Sequence, residues 1–212
     1  MISLSNVLSL VTFKKAKLRQ MYDVTSAFYD DLYGSEQIRK YEAISRLKAL
    51  SSFVDGVMLD AGCGTGLITE RLRDKGRFIV GTDFSRGMLR KAKERLVTCD
   101  VDFVLGDVER LPFRPKSFDL ILCLTVLQNC DPLKAINSLL RALKDEGVLI
   151  LSYFKRSRSA ALIEAAFGGQ VIRDLDPMDN VLILKRKETS TFKGRARKVV
   201  ARLYGLSHQE IT

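Results

Sequence analysis

The stretch Leu59-Asp60-Ala61-Gly62-Cys63-Gly64-Thr65-Gly66 limits what this chain can fold into more than any other. The apolar run 57–60 has the form of a buried strand ending in an acid. Three glycines then open a helical stretch over 66–75, with Ile68 and Leu72 on one face and Gly76 as its stop. Glycine lets the backbone turn sharply and leaves bare peptide groups against which a ligand can sit. A strand that feeds directly into a helix through such a turn is one arm of a βαβ unit, which implies a parallel sheet.

The alternation continues downstream. Strands are expected over 78–82, 101–105, 118–124 and 148–152, and helices over 86–97 and 133–143, with Gly147 as the turn before the fifth strand. Residues 158–167 form a further helix that Gly168-Gly169 breaks. The segments 170–175 and 181–186 flank the turn-forming Asp176-Pro177-Met178-Asp179-Asn180 and imply a hairpin. The expected fold is α/β: a seven-stranded, mostly parallel sheet with an antiparallel C-terminal hairpin edge and helices on both faces. Without repeats or a low-complexity linker, one domain is expected: an N-terminal helical segment over 1–54, a core over 55–187 and a tail over 188–212.

Glycine spacing narrows the ligand. A dinucleotide loop, G-x-G-x-x-G, needs its third glycine where Leu67 stands, and an acid at position 60 would face a pyrophosphate unfavourably. The same acid suits a cationic amino-acid moiety. Further signals follow in order. Ile79-Val80-Gly81-Thr82-Asp83-Phe84-Ser85 ends the second strand in an acid, with Met88 and Leu89 after it. Gly106-Asp107-Val108 and Leu111-Pro112-Phe113 follow the third strand. Ser117-Phe118-Asp119-Leu120 opens the fourth, and the segment 141–147 precedes the fifth. Over about residues 55–152 the chain thus resembles the class I S-adenosylmethionine-dependent methyltransferases, Rossmann-like proteins with methyltransferase-11-type motifs.

That resemblance implies a set of cofactor-binding positions. Asp60, Gly62, Cys63, Gly64 and Gly66 match the glycine loop, Asp83 the acceptor for the ribose hydroxyls, and Met88, with Phe84 near it, the cover of the nucleoside. Asp107 matches the acceptor for the adenine amine, Val108 the donor to a ring nitrogen, and Leu124 the strand end that faces the transferring methyl. The segment 21–30 is similar to the helices that lid the cofactor in this family. Tyr22 and Tyr29 lie seven residues apart, hence on one helical face, and either pack in the core or close over the cofactor. Lys40, expected at the start of the last helix before the first strand, is a candidate for the cofactor's carboxylate.

The acceptor is less legible. The chain lacks the [D/N]-P-P-[Y/F] motif of many amino-group methyltransferases and has no histidine near Gln128. Gln128 and Asn129 either orient a substrate or serve the turn. A sulfonium already makes its methyl electrophilic, so positioning and removal of water can suffice, and no catalytic residue is assigned. Cys63, Cys99, Cys123 and Cys130 form no C-x-x-C pair, and neither Cys123 nor Cys130 follows the proline or threonine of a pyrimidine-attacking cysteine. They are expected as buried thiols of a cytoplasmic protein. The single histidine, His208, argues against a histidine metal site, and no metal is expected.

The net charge of +10 is confined to the ends. Residues 1–20 carry 4 basic and no acidic groups, residues 185–212 carry 8 basic and 2 acidic, and the middle is balanced. Arg195, Arg197 and Lys198, with Val199, Val200 and Leu203 at helical spacing, suit phosphate backbones, an acidic partner, an anionic membrane surface, or simply a solvated helix. No apolar run approaches the roughly 20 residues of a membrane span. The leading expectation is methylation of tRNA or rRNA, with the tail docking the RNA. Ribosomal RNA methyltransferases of similar plan also imply a small activator subunit as partner. The alternatives are a small-molecule or protein acceptor, or a non-catalytic cofactor-binding partner. A closed apolar pocket under the N-terminal helices would favour a small acceptor, an open basic face RNA.

Overall fold

The computed structural model describes residues 4–186 except 48–49, 51–55, 74, 76–77, 98–99, 168–169 and 174. Cys99, His208, Arg195, Arg197, Lys198 and the rest of the expected tail lie outside the described residues. Two helices lead: α1 (Leu4–Thr25) and α2 (Tyr29–Ser45). Then follow β1 (Val57–Ala61), α3 (Leu67–Leu72), β2 (Phe78–Asp83), α4 (Arg86–Arg95), β3 (Val101–Leu105) and β4 (Phe118–Cys123). The chain continues through α5 (Pro132–Ala142), β5 (Leu143–Phe154), α6 (Arg158–Phe167), β6 (Val171–Ile172) and β7 (Asp179–Lys185).

The strands form one seven-stranded sheet in the order β3-β2-β1-β4-β5-β7-β6, parallel from β3 to β5, with β7 antiparallel to both its neighbours. The strand order reverses between β1 and β4, where crossovers depart to opposite sides and leave a crevice at the carboxyl ends of the strands. Alternation along the strands splits the core in two. Leu59, Ile121, Leu149 and Leu151 face α5 and α6 through Ile136, Leu139 and Ile163, while Met58, Leu120, Leu122 and Ile150 face α2 and α3 through Ile44, Ile68 and Leu72. Full burial of side chains this size stabilises by about 1.5–3 kcal/mol each. Asp60 falls in the α2–α3 register, so its carboxylate enters the fold beside Thr69 of α3.

Local signals account for the helix starts. Asp131 caps α5 by accepting from Leu133 N and Lys134 N, with Pro132 in the first turn, and the Ser85 hydroxyl caps α4 by accepting from Met88 N. Three expectations are corrected. Strand five begins at Leu143, directly after α5, and Gly147 lies inside it at a register irregularity, where Phe118 pairs with Leu143 but Leu120 with Val148. A Cβ at Gly147 would stand 2.9 Å from the Asp119 carbonyl oxygen, so the glycine permits close strand approach instead of a turn. The first hairpin strand shrinks to Val171–Ile172. Lys40 lies inside α2, not at a helix start.

Candidate cofactor and acceptor site

The glycine loop is built by backbone alone. Gly62, Gly64 and Gly66 all have positive φ, 79°, 54° and 77°, a region other residues enter only with strain. Gly62 N and Cys63 N both donate to Thr82 O, at 2.7 and 2.9 Å, which pins the loop to the end of β2. Each glycine has its own neighbour. A Cβ on Gly62 would lie 2.3 Å from Val126 Cγ2, and one on Gly66 would lie 3.0 Å from Ala92 Cβ of α4. At Gly64 only Tyr29 Cε1, at 4.0 Å, would be met, so this glycine faces open space.

That space is a cleft of roughly 940 Å³ including its mouth, bounded by the loop, the ends of β1, β2 and β4, and the helices α1 and α2. Asp60, Asp83 and Asp107 all line it. Asp83 accepts from Gly64 N at 3.0 Å and from Ser85 N at 2.8 Å. Burial pushes its carboxyl up to about 6 against those hydrogen bonds. Asp60 is likewise pushed up to about 6 by burial, partly offset by the Thr69 hydroxyl donating at 2.6 Å and reinforced by nearby Asp83. Asp107 is engaged at both oxygens: Oδ1 accepts from Glu109 N at 3.0 Å, and Oδ2 from the ammonium of Lys15, which also pairs with Glu109 at 2.9 Å.

The two leading helices roof the cleft. Tyr22 meets Phe84 edge-on at 5.8 Å and lies 6.2 Å from Tyr29, whose ring continues to Tyr33. Asn129 Nδ2 donates to the Tyr22 hydroxyl at 2.8 Å. Asp23 Oδ1 accepts from Gly87 N and the Ser85 hydroxyl, which ties α1 to the start of α4. Asp30 accepts from Thr65 Oγ1 at 2.5 Å and pairs with Arg95, which ties α2 to the glycine loop.

At the other end of the cleft stands Thr125, just past β4, with φ at 57°. For a β-branched residue that conformation is strained and needs support. Its N–H donates to Ser152 Oγ at 2.9 Å, and Ser152 Oγ donates to Asp179 Oδ2 at 2.7 Å. Lys40 Nζ donates to Thr125 Oγ1 at 2.6 Å and pairs with Asp179 at 2.9 Å and Glu36 at 3.2 Å. Lys40 and Asp179 are both 0 % exposed at the side chain. The Lys40 ammonium also stands 5.8 Å from the Phe154 ring centre.

Of the residues singled out in the sequence, Tyr22, Tyr29, Asp60, Gly62, Cys63, Gly64, Asp83, Phe84, Met88, Asp107, Val108, Leu124 and Asn129 come together on the wall of this one cleft. Gly66 does not: it is the N-cap of α3 and lets α3 approach α4. Gln128 does not either, because its amide nitrogen turns back to donate to Thr125 O at 2.5 Å. Lys40 is withdrawn into its buried pairs. Lys15, Gln37, Thr125, Val126 and Cys130 line the cleft without having been singled out for it. Thr125 carried no sequence signal, since nothing in a threonine announces positive φ. Burial holds the Cys130 thiol up at about 12 and Cys123 well above the usual thiol range, so neither is a ready thiolate.

Residues 59–151 match the family model described as "Methyltransferase domain". Over that stretch the chain is similar to class I S-adenosylmethionine-dependent methyltransferases. The chain is 35% identical over 134 residues to demethylmenaquinone methyltransferase of Renibacterium salmoninarum, covering 63% of this chain and 54% of that one. It is 35% identical over 159 residues to malonyl-[acyl-carrier protein] O-methyltransferase of Herminiimonas arsenicoxydans, covering 73% and 57%. This chain therefore spans about half the length of the curated relatives it matches. Among solved structures, the complex of the Trm112 methyltransferase activator with a methyltransferase from Haloferax volcanii superposes with a TM-score of 0.56 at 24% identity, over 62% of this chain and 59% of that one, which shows the shared fold.

Proposed function

We propose that this chain transfers a methyl group from S-adenosylmethionine to a small, largely apolar organic acceptor bound under the α1–α2 roof. The observation that carries this is the wall of the cleft. It is mostly apolar and aromatic, and among the described residues its formal charges are three carboxylates and one lysine. Such a wall repels phosphate and suits a cationic cofactor beside an uncharged acceptor.

The residues fit the cofactor on two counts. Gly64 leaves room against bare peptide, and among the described residues neither Asp60 nor Asp83 pairs with a cation, while burial pushes both carboxyls up to about 6. Asp60 and the Gly62–Gly64 peptides would hold the amino-acid end, Asp83 the ribose hydroxyls, and Asp107 with Val108 the adenine. Bound there, S-adenosylmethionine supplies a methyl group that its sulfonium makes electrophilic. Tyr22 and Tyr29 keep water from the cleft, and Thr125, Val126 and Asn129 line the end past β4, where an acceptor has room. The relatives named above support an organic acceptor, a quinone in one and a carrier-bound malonyl group in the other.

A second reading, RNA methylation, is favoured by the basic cluster between Lys185 and Arg202 in the sequence, nearly all of which lies outside the described residues. One experiment separates the two. The full chain is incubated with methyl-labelled S-adenosylmethionine and, separately, the organic-extractable, protein and RNA fractions of cells. Label in the organic fraction is expected. Label confined to RNA would establish the second reading, and no label together with no calorimetric heat for S-adenosylhomocysteine would remove both. A cytoplasmic setting, as the thiol content implies, is part of the same proposal; no described helix is long and apolar enough to cross a membrane.

A further inference from the structure

The face of α1 and α2 turned away from the cleft carries a pattern that cofactor binding does not use. Exposed residues recur at Lys14, Lys17, Met21, Val24, Phe28 and Leu32. Steps of three and four residues place Lys14, Lys17, Met21 and Val24 along one side of α1, and exposed Phe28 follows in the turn after it and Leu32 in the first turn of α2. Val24 is 70% exposed, Phe28 63% and Leu32 63%, with Met21 at 48% and Tyr33 at 46% beside them. The inner side of the same segment is fully occupied: Lys15, Tyr22 and Asp23 meet the β3–β4 loop, Asn129 and the start of α4. The apolar stripe is therefore a second, outward face of a helix already anchored.

Solvent exposure of this many large apolar side chains in a row is unfavourable unless something covers them. Two features point to the occupant. The stripe passes into the exposed cations Lys14 and Lys17, and the only exposed acid beside it among the described residues is Asp31. An apolar stripe with cations at one end matches an anionic bilayer surface, where rings and methyls enter the headgroup layer and ammonium groups meet lipid phosphates. We infer that α1 and the start of α2 dock this protein on an anionic lipid surface through Met21, Val24, Phe28 and Leu32, with Lys14 and Lys17 as the electrostatic anchor. The surface rests on the outer face of the roof and not on the transfer reaction, so it stands or falls independently of the acceptor.

The test uses the full chain and sedimentation with vesicles of phosphatidylcholine alone or with phosphatidylglycerol added. Binding is expected only with phosphatidylglycerol. The triple variant Val24→Ser, Phe28→Ser, Leu32→Ser, and separately Lys14→Gln with Lys17→Gln, should each weaken partitioning roughly tenfold or more. These side chains are exposed, so melting temperature and S-adenosylhomocysteine binding should be unchanged, which separates loss of docking from loss of fold. No binding by the parent chain overturns the inference. So does binding that survives both variants but is lost when Arg195, Arg197 and Lys198 are neutralised. If the parent chain instead forms a dimer that the triple variant abolishes, the stripe is a self-association face and the lipid assignment is wrong.

Discussion

The two ends of the cleft are made in different ways. At the β1–β2 end, peptide groups and carboxylates close in sequence do the work: Gly64 N reaches Asp83 across only 19 residues. At the β4 end, a strained threonine is held by side chains from distant elements. Lys40 and Thr125 meet across 85 residues, and Thr125 and Asp179 stand 54 apart. The first end depends on the absence of side chains and tolerates no additions. The second depends on a balance of buried charges and tolerates no subtractions.

Lys40→Ala should give the largest effect, because it leaves the fully buried Asp179 carboxylate without its cation. A loss of about 3–5 kcal/mol is expected, read from urea unfolding. Lys40→Met combined with Asp179→Asn should recover most of it. If the single variant costs under about 1 kcal/mol, the β4 end is not built on that ion pair and the contrast fails.

Gly62→Ala probes the other end. Its Cβ would fall 2.3 Å from Val126 Cγ2 at a positive φ, and a loss of about 2–3 kcal/mol is expected. Adding Val126→Ala should restore the part due to the clash and leave the part due to backbone strain. A double-mutant cycle measures the split.

The third prediction concerns pH. Asp60 and Asp83 ordinarily titrate near 3.8, and burial pushes both up to about 6. Between those values the folded chain keeps protons that the unfolded chain has released. The stability they confer is therefore full below pH 3.8 and is lost as pH rises through about 6. A ligand ammonium at Asp60 and ribose hydroxyls that donate to Asp83 both favour the ionised carboxylates, so affinity for S-adenosylhomocysteine should rise from pH 5 to pH 7, roughly tenfold per acid that ionises on binding. Flat affinity over that range, measured by calorimetry, would show that these acids do not meet the ligand.

The smallest effect belongs to Lys15→Ala. The Lys15 ammonium holds one Asp107 oxygen in a half-exposed pair. Pairs of that kind contribute about 0–1 kcal/mol, so freeing Asp107 should tighten S-adenosylhomocysteine binding by less than about fivefold. Weaker binding would mean that Lys15 itself touches the ligand.

The same contrast explains what could be foreseen. The seven-stranded sheet and its antiparallel edge were legible because glycine spacing and apolar periodicity act over short stretches, and the convergence of Asp60, Asp83 and Asp107 was implied by the resemblance to the methyltransferase motifs. The extent of strand five was not: Gly147 looks like a turn residue in one dimension, and only the nearness of the Asp119 carbonyl shows that it admits a neighbouring strand. For Gln128 two readings stood open, orienting a substrate or serving the turn, and the structure shows the second. The local turn gives its amide a backbone carbonyl to meet.

The sequence by itself determined the layered α/β plan and the loop that receives a cofactor, since both follow from backbone conformations that glycine and alternating apolar residues impose locally. Only the tertiary structure decided that Lys40 would be buried against Asp179, that Thr125 would be held at positive φ, and that Lys15 would cross to Asp107. Those partners are far apart in the chain, and a charge chooses its counterpart by distance in space, which the order of residues does not contain.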